Sequence, residues 1–188
     1  MPKRKRRVEG LPMKQSHGVT GLAALALLKV YGQLPRAFRL YPAGGTMNEM
    51  LDNMPTFRWD ERYSVNVALL DRQHQRLFDI FSELNAALAA GDGGSAMDSV
   101  LRQLTDYAKA HFVAEEALME LHRFPGLEAH RAEHEGFQQD LARYVEKFRT
   151  SKAGTSVSLL FYLQSWLKEH ILKTDKDYSA FLNDCGVR

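Results

Sequence analysis

An imidazole and a carboxylate stand four residues apart at His111 and Glu115. Residues four apart lie on the same face of a helix, and apolar residues recur on this face at intervals of three and four, among them Val100, Leu104 and Leu118. The two polar side chains therefore replace core residues in the middle of a buried stripe. Polar groups in an apolar interior need partners, and a nitrogen donor buried beside a carboxylate indicates a bound cation.

Side chains of the same chemistry occur in three other segments that have helical periodicity. They are His74, the pair His130 and His134, and His170 followed by Asp175. Five of the seven histidines and two carboxylates are thus distributed over four helix-like segments. We predict that these seven side chains meet in the centre of a helix bundle.

Four segments carry apolar residues on the 3.6-residue repeat of a helix. We predict helices over residues 71–90, 95–121, 127–149 and 156–182. Turn-forming sequences separate them, namely Gly91-Asp92-Gly93-Gly94, Phe124-Pro125-Gly126 and the stretch 151–155. Helices of roughly 20 to 27 residues joined by loops of about five favour an all-α fold, an up-down-up-down antiparallel four-helix bundle.

Capping residues mark the predicted starts of the first two helices. Asp71 is the predicted N-cap of the first helix, and Ser95 with Asp98 matches the capping box at the start of the second. Residues 57–67 have no helical period, and a single strand would have no partner. We therefore predict an extended N-terminal arm that lies along the helices.

The donor set indicates two metal ions rather than one. Imidazole binds zinc, copper, iron or nickel, and bridging carboxylates favour iron or manganese. Seven donors exceed the four ligands of a tetrahedral zinc ion, whereas Glu115 and Asp175 can each bind one metal with each oxygen. A single buried histidine is more often a hydrogen-bonded core residue, but burying the whole set without a cation would be costly. We predict a non-haem di-iron site.

The spacing of His170 and Asp175 makes a separate structural prediction. Residues five apart on a regular helix point about 140° away from each other, so these two side chains cannot face one site from a regular helix. A π-bulge, with hydrogen bonds from residue i to residue i+5, would realign them. We predict such a bulge, or a break, between the two residues.

The motifs resemble those of the hemerythrins, most closely the single-domain bacterial type. The matching motifs are His74 in Asp-x-Gln-His, His111-Phe-x-x-Glu115-Glu116, Met119, Pro125, His130-x-x-x-His134, and Trp166-Leu-x-x-His170-Ile-x-x-x-Asp175-x-x-Tyr178. The resemblance extends from residue 57 to about residue 182. It implies a four-helix bundle that holds two irons, joined by an oxo or hydroxo bridge and by Glu115 and Asp175.

The resemblance also implies how the ligands and the oxygen pocket are arranged. One iron would be bound by His130, His134 and His170, and the other by His74 and His111. The second iron would be one ligand short, and dioxygen binds at that open position in the family. The residues that line the pocket by resemblance are Leu77, Phe112, Trp166, Leu167 and Ile171. Reversible binding requires that no additional protons or electrons reach the oxygen, so we expect no Lys, Arg, Ser or Tyr side chain at this position.

Several polar residues near these motifs are not predicted ligands. His17 and His122 fall outside the inward stripes, and we assign them to surface or loop positions. Glu116 is turned about 100° from its neighbour Glu115, so we predict that it forms a salt bridge or a hydrogen bond to a ligand. Residues 130–134 are not the zinc-protease HExxH motif, because the glutamate is in the wrong place.

Composition divides the chain into two parts. Residues 1–56 hold nine of the 25 Lys and Arg residues but only three of the 23 Asp and Glu residues. We predict a basic, weakly ordered N-terminal extension over 1–56 and a di-iron bundle over 57–188. The bundle is mildly acidic, so we expect no nucleic-acid partner.

The same sequence bears on location. The apolar stretch 19–28 is shorter than the roughly 20 residues that a membrane span needs, so we expect no membrane span. The single cysteine, Cys185, cannot form an internal disulfide, which suits a reducing compartment. We predict a cytoplasmic location.

Three kinds of function fit these features. We favour a dioxygen-binding protein, not an enzyme, for storage, transport or delivery to an oxygen-using enzyme. The enzymatic alternative is a di-iron oxidase or a reductase of peroxide or nitric oxide, but ferritin-like oxidases use Glu-x-x-His pairs, and this chain has no such pair. The third is an oxygen or redox sensor. Sensors of the family are usually joined to an output domain, and only the basic extension keeps this option open.

Overall fold

The computed structural model describes residues 57–151 and 154–188, and these residues form an antiparallel bundle of four helical rods. The helices are α1 (Ala68–Ala89), α2 (Gly93–Leu121), α3 (Leu127–Thr150), α4 (Thr155–Glu169) and α5 (Asp175–Asp184). A π-helical turn, His170–Thr174, joins α4 to α5, so the two helices make the fourth rod. The predicted all-α four-helix bundle is confirmed. The predictions for the extension 1–56 and for His17 lie outside the described residues.

The π-helical turn confirms the prediction made from the spacing of His170 and Asp175. The turn begins at His170 and ends immediately before Asp175. The residue that it inserts turns Asp175 back toward the face that carries His170. Both side chains are consequently buried in the centre of the bundle.

The predicted N-cap at Asp71 is wrong. Helix α1 begins three residues earlier, at Ala68, and its N-cap position is occupied by Val67 in an extended conformation. The Asp71 carboxylate instead accepts hydrogen bonds from the Ser64 hydroxyl at 2.6 Å and from the Val65 backbone N–H at 2.7 Å. Because these donors belong to the preceding arm, Asp71 fastens the arm to the first turn of the helix.

The predicted capping box of the second helix is wrong for a similar reason. Helix α2 begins at Gly93, so Ser95 lies in its first turn, and its hydroxyl donates to the Asp92 carbonyl at 2.8 Å. Gly91, at φ +80°, ends α1 by donating to the Leu88 carbonyl, while the Asp92 N–H donates to the Ala87 carbonyl. These bonds form a Schellman motif, which leaves no room for a longer loop.

The extended arm lies along the bundle as predicted, with one 3₁₀ turn at Glu61–Tyr63. Phe57 stacks on Phe78 with ring centroids 4.8 Å apart. Further along the arm, the Val65 carbonyl accepts hydrogen bonds from the Ser179 hydroxyl and from Asn183. The arm therefore joins the first rod to the last.

Two apolar clusters fill the bundle, and the predicted donors lie between them. On α1, Leu70 belongs to the smaller cluster and Leu77 to the larger one, so His74 is placed between the clusters. The same order occurs on the fourth rod, where Asp175 lies between Ile171 and Tyr178. Within the described part of the chain, no helix has the length and apolar composition needed to cross a bilayer.

Candidate metal centre

The structure brings all seven predicted donors together in the bundle centre. Each of them is at most 2% exposed. They are His74 on α1, His111 and Glu115 on α2, His130 and His134 on α3, His170 at the start of the π-helical turn, and Asp175 at the start of α5. All four rods therefore contribute to one site.

The two oxygens of Glu115 face different histidines. Oε1 lies 3.4 Å from His74 Nε2 and 3.2 Å from His111 Nε2. Oε2 lies 3.4 Å from His130 Nε2 and 3.2 Å from His134 Nε2. The carboxylate thus stands between two groups of imidazoles.

Asp175 spans the same two groups. Its Oδ2 lies 3.3 Å from His74 Nε2, whereas its Oδ1 lies 3.2 Å from His170 Nε2 and 3.6 Å from His130 Nε2. The donors therefore divide into a three-histidine half, defined by His130, His134 and His170, and a two-histidine half, defined by His74 and His111. Both carboxylates reach both halves.

The hydrogen bonding of this set is incomplete without a cation. Neither oxygen of Asp175 and neither nitrogen of His74 has a hydrogen-bond partner with acceptable geometry, although all four atoms are buried. Two ligands at right angles on one ion, each about 2.1 Å from it, are about 3 Å apart. The observed separations of 3.2 to 3.6 Å between donor atoms are close to that spacing.

His134 and His170 give the clearest sign that the residues fit a metal ion. Their Nε2 atoms lie 3.2 Å apart. Each ring donates from Nδ1 to a carboxylate, His134 to Glu116 at 2.8 Å and His170 to Glu133 at 2.9 Å. When both rings are neutral, each Nε2 consequently presents a lone pair. Two lone pairs at this distance repel unless a proton or a metal ion lies between them.

Residues outside the donor set orient the rings. His111 Nδ1 donates to Gln73 Oε1 at 2.9 Å, as His134 does to Glu116 and His170 to Glu133. The predicted role of Glu116 agrees with its two contacts, since it also accepts from Arg131 at 3.2 Å. Sequence reasoning found Glu116 because it adjoins the predicted ligand Glu115, but it assigned no role to Gln73 or Glu133, whose contacts depend on how the helices pack against one another.

Burial and neighbouring charges shift the pKa values of the donors in opposite directions. Burial lowers the pKa of His74, but the nearby Asp175 and Glu115 outweigh burial and raise the pKa to about 9. Burial raises the pKa of Glu115, yet the surrounding imidazoles, His111 first, hold that pKa well below its usual range. The site therefore keeps a carboxylate ionised in the core, where it attracts a cation.

Two buried tyrosines contact the donor set. The Tyr178 hydroxyl donates to Glu115 Oε1 at 2.5 Å, and burial together with the negative charge of Glu115 raises its pKa well above the usual value. Tyr107 stacks on His111 with ring centroids 4.9 Å apart, and its buried hydroxyl has no hydrogen-bond partner among the described residues. Sequence reasoning did not assign Tyr107 to the site, because an apolar stripe accommodates a tyrosine ring as readily as a phenylalanine ring.

The five residues predicted to line an oxygen pocket lie in or against the larger apolar cluster. Leu77, Phe112, Leu167 and Ile171 are buried and Trp166 is partly buried. Phe112 stacks on His134 with centroids 3.7 Å apart, and Trp166 stacks on His170 at 4.2 Å. These two rings cover the three-histidine half. Their role toward dioxygen stays a prediction.

A surface cavity approaches the two-histidine half from outside. It has a volume of about 330 Å³, and Gln73, Tyr107 and His111 are among the residues that line it. His122, in contrast, is the C-cap residue of α2 and has no place in the donor set, in agreement with its predicted loop position.

Residues 65–182 match the family model described as the hemerythrin HHE cation binding domain. The chain belongs to the hemerythrin family. Its relatives include a bacteriohemerythrin of Methylococcus capsulatus, 31% identical over 121 residues that cover 64% of this chain and 92% of the relative. A bacteriohemerythrin of Stenotrophomonas maltophilia is 31% identical over 64% of this chain and 78% of its own length. The myohemerythrin of Sipunculus nudus is 30% identical over 66% of this chain and 92% of its own length.

Proposed function

We propose that this hemerythrin binds dioxygen reversibly at a di-iron centre. One observation carries the proposal, namely that the seven buried donors divide into three histidines and two histidines that share both carboxylates. This division suits two ions of unequal coordination. The match to a cation binding domain supports the presence of metal.

The residues of each half would hold one iron. His130, His134 and His170 would bind the first and His74 and His111 the second, with Glu115 and Asp175 shared and an oxo or hydroxo bridge between the ions. When bound, two ferrous ions supply the two electrons that dioxygen takes up on binding and returns on release. The two-histidine ion would have one protein ligand fewer than its neighbour.

The protein's own residues keep such binding reversible by controlling water and protons. The larger apolar cluster packs around the donors and excludes water, as Phe112 does by lying flat on His134. Tyr178 keeps its proton because its pKa is raised, and it uses that proton in the hydrogen bond to Glu115. Tyr178 therefore does not supply a proton to the site.

One observation favours a second candidate, a di-iron oxidase or reductase. The Tyr107 hydroxyl is buried beside His111 without a partner among the described residues. Burial raises its pKa well above the usual value, so the phenol keeps its proton and can donate a hydrogen bond to a small molecule held in the two-histidine half. Our expectation that no tyrosine serves the open position therefore has to be tested at Tyr107.

Repeated oxygenation separates the two functions. Iron-loaded protein is reduced without oxygen, exposed to air and then purged, while visible absorption is recorded through several cycles. Carriage requires a charge-transfer band that appears and disappears in every cycle. A single irreversible oxidation per exposure, with peroxide in solution, would instead indicate an oxidase. The variant Tyr107→Phe shows whether the phenol contributes to any irreversible loss, and His122→Ala serves as a control.

Other parts of the proposal concern the protein's setting. We infer a basic extension over 1–56 and a di-iron bundle over 57–188, a cytoplasmic location and, as recipient of the oxygen, an oxygen-using enzyme. Proteolysis followed by intact-mass measurement would test the division, because a compact bundle should survive as a fragment that begins near residue 57.

A further inference from the structure

Two histidines of the three-histidine half and one of the two-histidine half have an outer hydrogen-bond partner, and these partners differ in charge. In the three-histidine half, His134 donates to the Glu116 carboxylate and His170 to the Glu133 carboxylate. In the two-histidine half, His111 donates to the neutral amide oxygen of Gln73, and His74 Nδ1 has no partner among the described residues. The difference in charge thus coincides with the difference in histidine number.

Both carboxylates are fixed by second contacts, so they are not free to turn away from the rings. Glu116 Oε2 accepts a hydrogen bond from Arg131 Nε at 3.2 Å. Glu133 Oε1 accepts one from the Thr174 hydroxyl at 3.3 Å, within the π-helical turn. The turn therefore positions a partner of His170 as well as realigning Asp175.

A charged acceptor strengthens an imidazole as a metal ligand. The carboxylate pulls the Nδ1 proton toward itself and leaves more electron density at Nε2, the atom that faces the metal. An amide acceptor does the same more weakly, because hydrogen bonds to an ionised group are stronger than those between neutral groups. Histidine number alone would also make the halves unequal, so a test must change the charge and keep every ligand.

We propose that Glu116 and Glu133 are positioning residues that make the three-histidine half the tighter and first-filled metal site, while Gln73 keeps the two-histidine half weaker. The inference rests on the proposed di-iron site. It goes beyond dioxygen binding because it concerns the order in which the site fills. Such an order would let the protein retain one ion while the other exchanges.

The test is a titration of the metal-free 188-residue chain with Co²⁺, in which calorimetry and visible absorption record the binding. We expect two binding steps, with His111→Ala removing the weaker one. Glu116→Gln and Glu133→Gln should each weaken the first step by about 10- to 100-fold and leave the second unchanged. Gln73→Glu should strengthen Co²⁺ binding in the second step and reduce the difference in affinity between the two steps.

Each variant has a matched control. Glu120 also binds Arg131, at 3.0 Å, but among the described residues its carboxylate forms no hydrogen bond to a donor histidine, so Glu120→Gln controls for Glu116→Gln. Glu169 precedes His170 and pairs with Lys173, so Glu169→Gln controls for the loss of a charge near Glu133. Thermal unfolding of each metal-free variant reports any general loss of structure, which a change confined to one binding step would not involve.

Three results would overturn the proposal. In the first, Glu116→Gln and Glu133→Gln bind Co²⁺ with the same affinities as the parent. In the second, these variants weaken both binding steps equally. In the third, the control variants weaken Co²⁺ binding as much as the test variants do. The titration needs no dioxygen, so irreversible oxidation in air would refute carriage and leave this inference standing. A chain that binds no Co²⁺ would refute both.

Discussion

At the scale of single residues, two buried tyrosine hydroxyls differ in their hydrogen-bond partners. The Tyr178 hydroxyl donates to Glu115, whereas that of Tyr107 has no partner among the described residues. A buried hydrogen bond to a charged group contributes about 1.5 to 3 kcal/mol. We therefore expect Tyr178→Phe to lower the free energy of unfolding of the metal-free protein by about that amount, as measured by urea denaturation.

Tyr107→Phe is the matched control, since it deletes the same atom from a comparably buried ring. Removing a hydroxyl that makes no hydrogen bond relieves a desolvation penalty. The free energy of unfolding should consequently stay the same or rise slightly. Equal losses in both variants would show that the Glu115 contact is not what stabilises the protein at Tyr178.

At the scale of helices, α2 ends in a Schellman motif whose left-handed residue is an arginine. Arg123 has φ +58°, and the Phe124 N–H donates to the Met119 carbonyl at 2.8 Å. A left-handed conformation costs a residue with a Cβ roughly 1 to 2 kcal/mol. Glycine avoids this cost, but its greater freedom in the unfolded chain offsets part of the gain in stability. We expect Arg123→Gly to raise the free energy of unfolding by about 0.5 to 1 kcal/mol in urea denaturation.

Two further variants separate backbone strain from loss of the arginine side chain. Arg123→Ala keeps the Cβ and should give no gain. Gly91→Ala introduces a Cβ at the equivalent position of α1, at φ +80°, where no atom lies within 4 Å of it. We expect Gly91→Ala to lower the free energy of unfolding by about 1 kcal/mol through the backbone conformation alone. An unchanged free energy of unfolding would refute the strain argument.

The π-helical turn gives a prediction about register. Deleting the exposed residue Lys173 would leave His170 and the aspartate four residues apart, a spacing at which a regular helix already presents both on one face. The variant should still bind two metal equivalents. Inserting an alanine after Lys173 should remove at least one equivalent, because it turns the aspartate about a further 100°. Metal analysis of the purified variants would decide, and loss of an equivalent on deletion would contradict the prediction.

At the scale of the whole molecule, periodicity and donor chemistry were enough to predict four rods and a shared centre. The five-residue spacing from His170 to Asp175 even predicted a local distortion, because chemistry and regular geometry conflicted there. The predictions that were wrong or missing concern contacts between one element and another. Asp71 was predicted as a helix cap, but it binds the arm through Ser64. Glu133 could not be connected with His170, since the rotation of one helix against the next decides which side chains meet across their interface.

The same whole-molecule view explains how metal should affect stability. The bundle buries seven polar donors between its two apolar clusters, and an ion that binds only the folded state stabilises it by about 4 kcal/mol at 1,000 times its Kd. We expect metal to raise the Tm by roughly 10 °C or more, measured by thermal unfolding with and without a chelator. His74→Ala should lose part of this increase, whereas His122→Ala should keep all of it. A Tm that is the same with and without the chelator would mean that the donors stabilise one another without a cation. The facing lone pairs of His134 and His170 make such an arrangement costly.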